Sequence, residues 1–229
     1  MMLSLNKTLA GLRWQPIILL ASLWMVQVEP VSAAAPVIDN ERVTVWDVTL
    51  LPGQPMPMQR HESAVVTLFL DGGKIRSTKE NGKSTVSERR FGEVDYDALG
   101  AQHIDEVISG SPARMIVAEL KQHTQPLYEN KSGYPLAFPR AGSVKVFEND
   151  RVVIWNYTWV PNVPTPMHFH DKDALVVFRY DGSLKSTTPD GKSVVNDYKS
   201  GTIRFNRGDR AHFEELVEGQ QSAIIMEFK

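Results

Sequence analysis

Short runs of β-branched and aromatic residues alternate with turn residues along most of the chain. One run occupies 42–51 and another 151–160, and each is followed by a bend that contains three prolines. Proline cannot donate to a strand ladder, so each bend separates one strand from the next. Asn81-Gly82 and Asp190-Gly191 are two-residue hairpin signals. Because helical periodicity is weak, the pattern predicts an all-β fold of short antiparallel strands, in a barrel or a sandwich.

The whole pattern occurs twice. Residues 40–103 align without a gap on residues 149–212, always 109 positions later, and 20 of the 64 pairs are identical. Two copies of this length indicate one folding unit used twice. Differences between the copies then show where chemistry has been kept or lost.

The second copy contains three histidines at spacings that suit a metal site. His168 and His170 form a His-x-His pair, and His212 follows 42 residues later. Residues i and i+2 of a strand point to the same side, so the pair can aim both imidazoles at one point. We therefore predict His168, His170 and His212 as metal ligands. Histidines that only form hydrogen bonds in a core are the alternative.

The first copy is poorer in ligands. It keeps His61 and His103 at the equivalent positions but has Gln59 in place of the first histidine. Two imidazoles and an amide make a weak set for a divalent ion. We therefore expect a structural domain there, with weak metal binding as the alternative.

At these histidines the chain resembles the cupin superfamily, and the duplication makes it resemble a bicupin. The first cupin motif is glycine, five residues, His-x-His, glutamate and a later glycine, which the second copy matches at His168, His170 and Gly182. The second motif begins with glycine and ends with histidine, matched by Gly201 and His212 at the full spacing. The resemblance implies two tandem cupin-like β-barrels.

The second copy departs from the cupin pattern at the glutamate ligand. Counting along the motif places that glutamate at Ala174 or Leu175, and neither side chain can bind a metal. The site therefore resembles the three-histidine cupins, which include Fe(II)-dependent thiol and diketone-cleaving dioxygenases. The alternative is a carboxylate ligand from another position in the sequence. The candidates near the histidines are Asp171, Asp173, Glu214 and Glu215.

The resemblance implies one divalent metal ion in the C-terminal barrel, with Fe2+ expected and Zn2+, Mn2+ or Ni2+ as options. It implies a dioxygenase-like or isomerase-like reaction on a small oxygen-bearing substrate. The alternative is a cupin that binds a carbohydrate or a small organic acid without turnover. A third hypothesis is a cupin without any ligand that acts in assembly through its aromatic surface.

Two further residues are candidates for catalytic roles. Arg179 shares strand parity with position 175, so it is expected to face the pocket and pair with a substrate carboxylate. Tyr180 is a candidate acid or base, although its parity is opposite. Arg204 and Arg210 can pair with a substrate in the same way, but charged strand residues usually face solvent. For the alternating aromatics Trp155, Tyr157 and Trp159 we favour a core role over a pocket wall.

Composition narrows the other options. The chain has no cysteine, so a buried core must stabilise it and cysteine-ligated metal sites are excluded. The net charge is −2, and removing residues 1–33 with Lys7, Arg13 and Glu29 leaves −3. This weak acidic balance gives no support to nucleic-acid binding. The expected partner is a small molecule, and aromatic stripes on the barrels favour a homodimer.

The first 33 residues have the pattern of a signal peptide. A basic opening with Lys7 and Arg13 precedes an apolar run at 17–26 and a small-residue run at 31–35. We therefore expect a periplasmic or secreted protein that is not in a membrane after cleavage. The predicted division is a signal peptide at 1–33, an N-terminal domain at 36–121, a linker at 122–145 and a C-terminal domain at 146–229. Tyrosines and phenylalanine in the linker suggest that it packs against a domain.

Overall fold

The computed structural model describes residues 35–122 and 127–229. The predicted signal peptide and His123 lie outside these residues. Within the described ranges every regular element is a β-strand, which confirms the predicted all-β class. The same ranges contain no helix with the length and apolar character needed to cross a membrane.

The first copy contributes nine strands to the described structure. They are β1 (Ile38–Asp39), β2 (Val43–Leu50), β3 (Gln59–Arg60), β4 (Ala64–Phe69), β5 (Gly73–Lys79), β6 (Ser84–Arg89), β7 (Val94–Asp97), β8 (Gln102–Val107) and β9 (Ala113–Leu120). They form a five-stranded sheet in the order β1-β2-β9-β4-β7 and a four-stranded sheet in the order β3-β8-β5-β6. All their pairings are antiparallel.

The second copy repeats this topology. Its strands are β10 (Val144–Glu148), β11 (Val152–Trp159), β12 (His168–His170), β13 (Ala174–Phe178), β14 (Gly182–Thr187), β15 (Ser193–Tyr198), β16 (Ile203–Asn206), β17 (Arg210–Gly219) and β18 (Gln221–Phe228). The sheet orders are β10-β11-β18-β13-β16 and β12-β17-β14-β15, as in the first copy with nine added to each number. The predicted two tandem barrels are confirmed.

The sequence repeat is kept in the strand positions. Strands β2, β6 and β7 become β11, β15 and β16 when 109 is added to each residue number. The last strands differ by 108, since β9 spans Ala113–Leu120 and β18 spans Gln221–Phe228. One residue is therefore missing from the second copy between the eighth and ninth strands of the unit.

Two turns keep their backbone conformation although the residue changes. Gly53 has φ 71°, and its equivalent Asn162 has φ 60°. Gly100 has φ 86°, and its equivalent Asp209 has φ 53°. Asparagine and aspartate enter the left-handed region more easily than other residues with a side chain, so these replacements preserve the turn.

A shared apolar layer joins the two copies. The five-stranded sheets pack against each other through one face, and the buried residues of this layer are Val43, Val45, Ala64, Val66, Leu68, Leu70, Ile116, Ala118, Leu120, Val152, Ile154, Leu175, Val177, Ile224, Met226 and Phe228. The opposite faces enclose the barrel interiors. Strand β11 therefore buries Ile154 in the shared layer and Trp155 in the barrel.

Two equivalent arginines link the ends of the copies. Arg151 donates through Nη2 to the carbonyl oxygen of Lys121 at 2.8 Å, and Arg42 donates through Nη2 to that of Lys229 at 3.4 Å. Each arginine thus reaches the residue that follows the last strand of the other copy. Nε of Arg42 also lies 3.9 Å from Oδ2 of Asp173, and this pair is almost fully buried.

The segment 127–143 packs on the second barrel. The N–H of Ala137 donates to the carbonyl oxygen of Phe169, and the N–H of Phe169 donates to that of Pro135, both at 2.8 Å. Ala137 and Phe138 are buried. Strand β10 begins at Val144, inside the range predicted as linker. This course carries Arg140 to the barrel interior.

Candidate metal centre

The structure brings His168, His170 and His212 together inside the second barrel. His168 and His170 share one face of β12, and His212 lies opposite His168 on β17. One ring nitrogen from each residue lies within 4.8 Å of the others. The three rings are buried, and their centroids are 4.8 to 5.0 Å apart.

The ring nitrogens are oriented for a common ligand. Nε2 of His170 lies 3.2 Å from Nε2 of His212. Two bonds of about 2.1 Å to one metal ion place their nitrogens roughly 3.0 to 3.4 Å apart at tetrahedral or octahedral angles. Nδ1–H of His168 donates to the carbonyl oxygen of Pro166 at 2.8 Å, which leaves Nε2 as the free lone pair. Nδ1 of His212 is 3.1 Å from Oγ of Ser186. Such outer partners fix the tautomer of a metal-binding histidine.

All three imidazoles are neutral at physiological pH. Burial, with Arg140 adding to it, lowers the pKa of His168 to about 4. Burial also lowers the pKa of His212 to about 3 and that of His170 well below its usual value. A neutral imidazole has the lone pair that metal coordination requires. The donor set therefore fits a divalent first-row ion.

A carboxylate lies beside the histidines, at a position outside the cupin motif. Oε1 of Glu214 lies 3.7 Å from Nε2 of His212, two residues earlier on β17. Its Oε2 accepts from Nε1–H of Trp159 at 3.0 Å and from Nη2 of Arg140 at 3.4 Å. Burial would raise the pKa of Glu214, but the charge of Arg140 and the hydrogen bond from Trp159 oppose it, and this pKa lies below its usual value.

The other candidate carboxylates are engaged elsewhere. Asp171 pairs with Lys172, and Asp173 accepts the N–H of Gly208 at 2.8 Å. Glu215 lies 4.0 Å from Lys185. At the two positions where a motif glutamate was expected, Ala174 lines the cavity and Leu175 packs in the shared layer. Glu214 is therefore the carboxylate beside the histidines.

Two of the histidines, His170 and His212, line a cavity of about 190 Å³. Three guanidinium groups line it, from Arg140, Arg204 and Arg210. Glu214 is the single carboxylate in its lining among the described residues. Nε of Arg140 and Nε of Arg210 are buried and have no hydrogen-bond partner. The cavity therefore carries positive charge and unsatisfied donors, which suit an anionic ligand.

Arg140 is the site residue that the sequence analysis missed. Nη1 of Arg140 lies 3.2 Å from Nε2 of His168, and its guanidinium stacks on the ring of Tyr157 at 3.9 Å and near Phe138 at 4.7 Å. Its segment has no counterpart in the first copy, so the repeat gave no signal. A single arginine between Pro139 and Gly142, in a stretch expected to pack, was the available signal.

Arg179 and Tyr180 lie outside this cavity. Both are exposed and follow the end of β13. Arg179 does share parity with position 175, but that face of β13 packs against the first copy. The guanidinium accordingly lies 4.4 Å from the ring of Phe91. Of the arginines considered from the sequence, Arg204 and Arg210 are the two that line the cavity.

The alternating aromatics of β11 belong to the barrel core, as predicted. Trp155, Tyr157 and Trp159 are buried in it. Nε1–H of Trp155 donates to Oε2 of Glu227 at 2.9 Å. Trp159 also lines the cavity, so one member of the set serves as pocket wall.

A second cluster lies at the equivalent place in the first barrel. His61, His103 and Asp97 each offer a ligand atom within 4.8 Å of the others. Burial lowers the pKa of His61. A hydrogen bond to Asp105 raises the pKa of His103. The alignment of the copies places only His61, His103 and Gln59 at this site, and the structure adds Asp97.

Solved structures share this architecture. An oxalate decarboxylase from Bacillus subtilis, a protein with Mn(II) centres, matches with a TM-score of 0.58 and 12% identity, over 82% of this chain and 69% of that one. A cupin 2 conserved barrel domain protein from Leptotrichia buccalis matches with a TM-score of 0.53 and 14% identity, over 85% of this chain and 87% of that one.

The sequence comparisons give no closer assignment. No protein-family model matches the sequence, and no curated protein matches it either. At identities of 12% and 14% the solved structures establish the fold and leave the reaction open. The repeated strand order and these neighbours agree that the chain has the bicupin fold of two tandem cupin-like barrels.

Proposed function

We propose that the C-terminal barrel binds a divalent metal ion through His168, His170 and His212 and presents it to a small organic acid. The observation that carries this proposal is the meeting of three neutral imidazoles beside three guanidinium groups. The imidazoles supply donors without adding charge, so a bound ion keeps its full positive charge. The carboxylate of a ligand is then attracted both by the ion and by the guanidinium groups.

The arginines have separate parts in this proposal. Arg204 is anchored by its hydrogen bond to the hydroxyl of Tyr198 at 2.6 Å, and Arg210 is held beside His212. Both are fixed on strands and can orient a carboxylate. Arg140 lies on an irregular segment and already contacts Glu214. Arg140 is therefore the group best placed to exchange that partner for a substrate carboxylate.

For the reaction we propose a metal-dependent enzyme of the dioxygenase-like or isomerase-like class. A bound ion would supply Lewis-acid or redox chemistry and leave positions for a chelating substrate. Glu214 is the residue that can take or return a proton, because it is ionised, lines the cavity and is held at Oε2 by Trp159. Binding of an organic acid without turnover is the alternative, and it needs the same arginines but no role for Glu214 in proton transfer.

The proposed metal site is tested by loading the protein with metal and measuring the bound equivalents. Purified protein is dialysed against Mn2+, Fe2+, Zn2+ or Ni2+, and bound metal is measured by mass spectrometry. We expect His168→Ala to lose one equivalent that His123→Ala keeps, His123 being the histidine outside both repeats. The histidine resemblance favours Fe2+ and the oxalate decarboxylase neighbour favours Mn2+. Retention of the full metal content by His168→Ala would refute the proposed site.

The ligand class is tested on the metal-loaded protein. Small mono- and dicarboxylates, with neutral sugars as the contrasting panel, are screened for an increase in Tm. Carboxylates should stabilise the protein, and Arg210→Met should abolish the effect while Arg179→Met, outside the cavity, keeps it. Oxygen uptake and CO2 release then report turnover, and Glu214→Gln should remove turnover but not binding. Stabilisation by sugars alone would contradict the organic-acid proposal.

We also propose export of the chain after cleavage of residues 1–33. The basic, apolar and small-residue order of this segment supports it. Expression of the full chain in a bacterium, followed by fractionation and N-terminal sequencing, tests it. A mature chain that begins at Ala34 is expected. An uncleaved chain in the cytoplasm would oppose the proposal.

A further inference from the structure

We propose that the first barrel holds a second, different metal site, in which His61, His103 and Asp97 bind a divalent cation that needs no organic anion. The site lies at the place that corresponds to the C-terminal centre. Its third ligand is a carboxylate from another strand, in place of the histidine that the first copy lacks.

The strand pairing explains how Asp97 enters the site. Asp97 on β7 lies directly opposite Val65 on β4. In the second copy the same register pairs Asn206 with Ala174, and both of these line the cavity. Residues directly opposite on paired strands share one face of the sheet. Asp97 therefore faces the interior of the first barrel, beside the two histidines.

The atoms of the cluster are spaced for one ion, while Nε2 of His103 also lies 3.4 Å from Oδ2 of Asp105. One ligand atom from each of His61, His103 and Asp97 lies within 4.8 Å of the others, and the two rings are 5.2 Å apart. Nε2 of His61 is buried and has no hydrogen-bond partner. Nδ1 of His103 lies 3.8 Å from Oδ1 of Asp97, too far for a hydrogen bond. Two imidazoles with one carboxylate are a common set for a divalent first-row ion.

Charge at equivalent positions separates this site from the C-terminal one. Adding 109 to Asp95 gives Arg204, and adding 109 to Ala101 gives Arg210. The two strand-borne arginines that suit an organic anion are thus replaced by a carboxylate and a methyl group. Asp105 corresponds to Glu214, so the first barrel keeps that negative charge.

The partners of these residues differ between the barrels in the same way. In the second barrel Arg204 is bound to the hydroxyl of Tyr198. In the first barrel the equivalent pair is Asp95 with Arg89, which form a salt bridge. Asp97 and Asp105 remain near His103 with no arginine or lysine paired to either among the described ion pairs. The first site therefore attracts cations and repels carboxylates.

The access of the two sites also differs. The side chains of Asp97 and His103 are 27% and 17% exposed, whereas His212 is 6% exposed. A partly open site that adds one negative ligand suits an ion that keeps bound water and exchanges with solvent. The C-terminal ion is enclosed by comparison. We therefore expect two equivalents of metal with distinct affinities.

The test counts metal in matched variants with Zn2+ and Mn2+ alone as probes. The protein is stripped with chelator, dialysed against each ion, and its bound metal and binding isotherm are measured. Wild type should hold two equivalents. Asp97→Asn and His61→Ala should each lose one, and His168→Ala should lose the other. Asparagine is the natural residue at the equivalent position 206, so Asp97→Asn is compatible with the fold.

The control is Glu88→Gln, which removes an exposed carboxylate from β6 of the same barrel. It should keep both equivalents, and circular dichroism should be unchanged in every variant. Loss of one equivalent in Asp97→Asn together with full retention in His168→Ala would support this site and reject the C-terminal one. An Asp97→Asn variant with wild-type stoichiometry and affinity for both ions would overturn the inference. A wild type that binds one equivalent, lost in His168→Ala, would overturn it as well.

Discussion

Nη1 of Arg140 lies 3.2 Å from Nε2 of His168, the nitrogen that the hydrogen bond to Pro166 leaves free for a ligand. A guanidinium and a metal ion therefore compete for the same lone pair and repel each other. The contact of Arg140 with Glu214 provides an alternative place for the guanidinium. Metal binding and the position of Arg140 are thus coupled.

We predict that Arg140→Met raises the affinity of the C-terminal site for Mn2+ in the absence of any organic acid. Removal of one positive charge within about 5 Å of a divalent ion is worth on the order of 1 kcal/mol or more, so the gain should be about tenfold. Calorimetric titration measures it, with Arg179→Met as the control. Weaker metal binding in Arg140→Met would show that the guanidinium supports the site.

The three buried imidazoles make the metal-free protein sensitive to acid. The folded pKa of His168 is about 4, below the value of about 6.5 expected in the unfolded chain. As the pH falls through 6.5, the unfolded state takes up the proton first, so the free energy of unfolding decreases until the pH reaches about 4. For His168 alone the loss is on the order of 3 kcal/mol.

Urea denaturation of the metal-free protein at pH 5, 6, 7 and 8 measures this effect. Stability should rise from pH 5 to 7 and then level off with respect to these groups. His168→Gln should give a shallower rise, since glutamine does not titrate. Equal slopes in the two proteins would mean that the pKa of His168 is the same in the folded and unfolded chains.

Removal of the Glu214 side chain should destabilise the metal-free protein. Glu214→Ala leaves the indole N–H of Trp159 without its acceptor and the guanidinium of Arg140 without its counter-charge. The expected loss is about 2 to 4 kcal/mol, because both donors are mostly buried. Glu215→Ala is the matched control and should cost less than about 0.5 kcal/mol, since that residue pairs at 4.0 Å with a partly exposed lysine. Similar losses in both variants would contradict the role given to Glu214.

The two equivalent arginines should differ in their effect on stability. Arg42→Met removes the buried counter-charge of Asp173 and should cost about 2 to 4 kcal/mol. Arg151→Met removes the hydrogen bonds to the end of β9 and should cost about 1 kcal/mol. Urea denaturation compares them under one set of conditions. A larger loss in Arg151→Met would show that the Asp173 pair contributes little.

The repeat made most of the fold predictable from the sequence. The gap-free alignment of the copies located equivalent strands, because a duplicated unit must place its apolar residues on the same faces twice. Asn162 stands where the first copy has Gly53, yet its φ of 60° shows that the turn is unchanged. The one-residue shift before β18 was not predictable, since the alignment ended at His212.

The three histidines were also predictable, because spacing along paired strands fixes which side chains meet. The charged residues were harder. Arg179, just after β13, lies on the same side as position 175, as predicted from strand alternation. Both faces of β13 are buried, however, so an apolar sequence did not show which face encloses the cavity. Leu175 and Val177 turn toward the other copy, and Arg179 follows them.

Two residues required the three-dimensional structure. Arg140 comes from a segment without a repeat partner, and Asp97 enters its site through cross-strand pairing with Val65. Neither relation is encoded in the spacing of a local motif. The position of Asp97 depends on which strands become neighbours in the sheet, and that of Arg140 on how an irregular segment packs on the barrel. A single sequence gives neither.

The apolar layer between the five-stranded sheets has a consequence for any attempt to divide the protein. Each half covers the other's hydrophobic wall, so either half produced alone would offer water a broad patch of aliphatic side chains and should aggregate. Cleavage of the backbone between the halves should have a different result. The apolar layer stays covered, so the two fragments should remain associated. Apolar packing thus holds the two copies together. The charged residues of each pocket lie outside this layer, so they can differ between the copies.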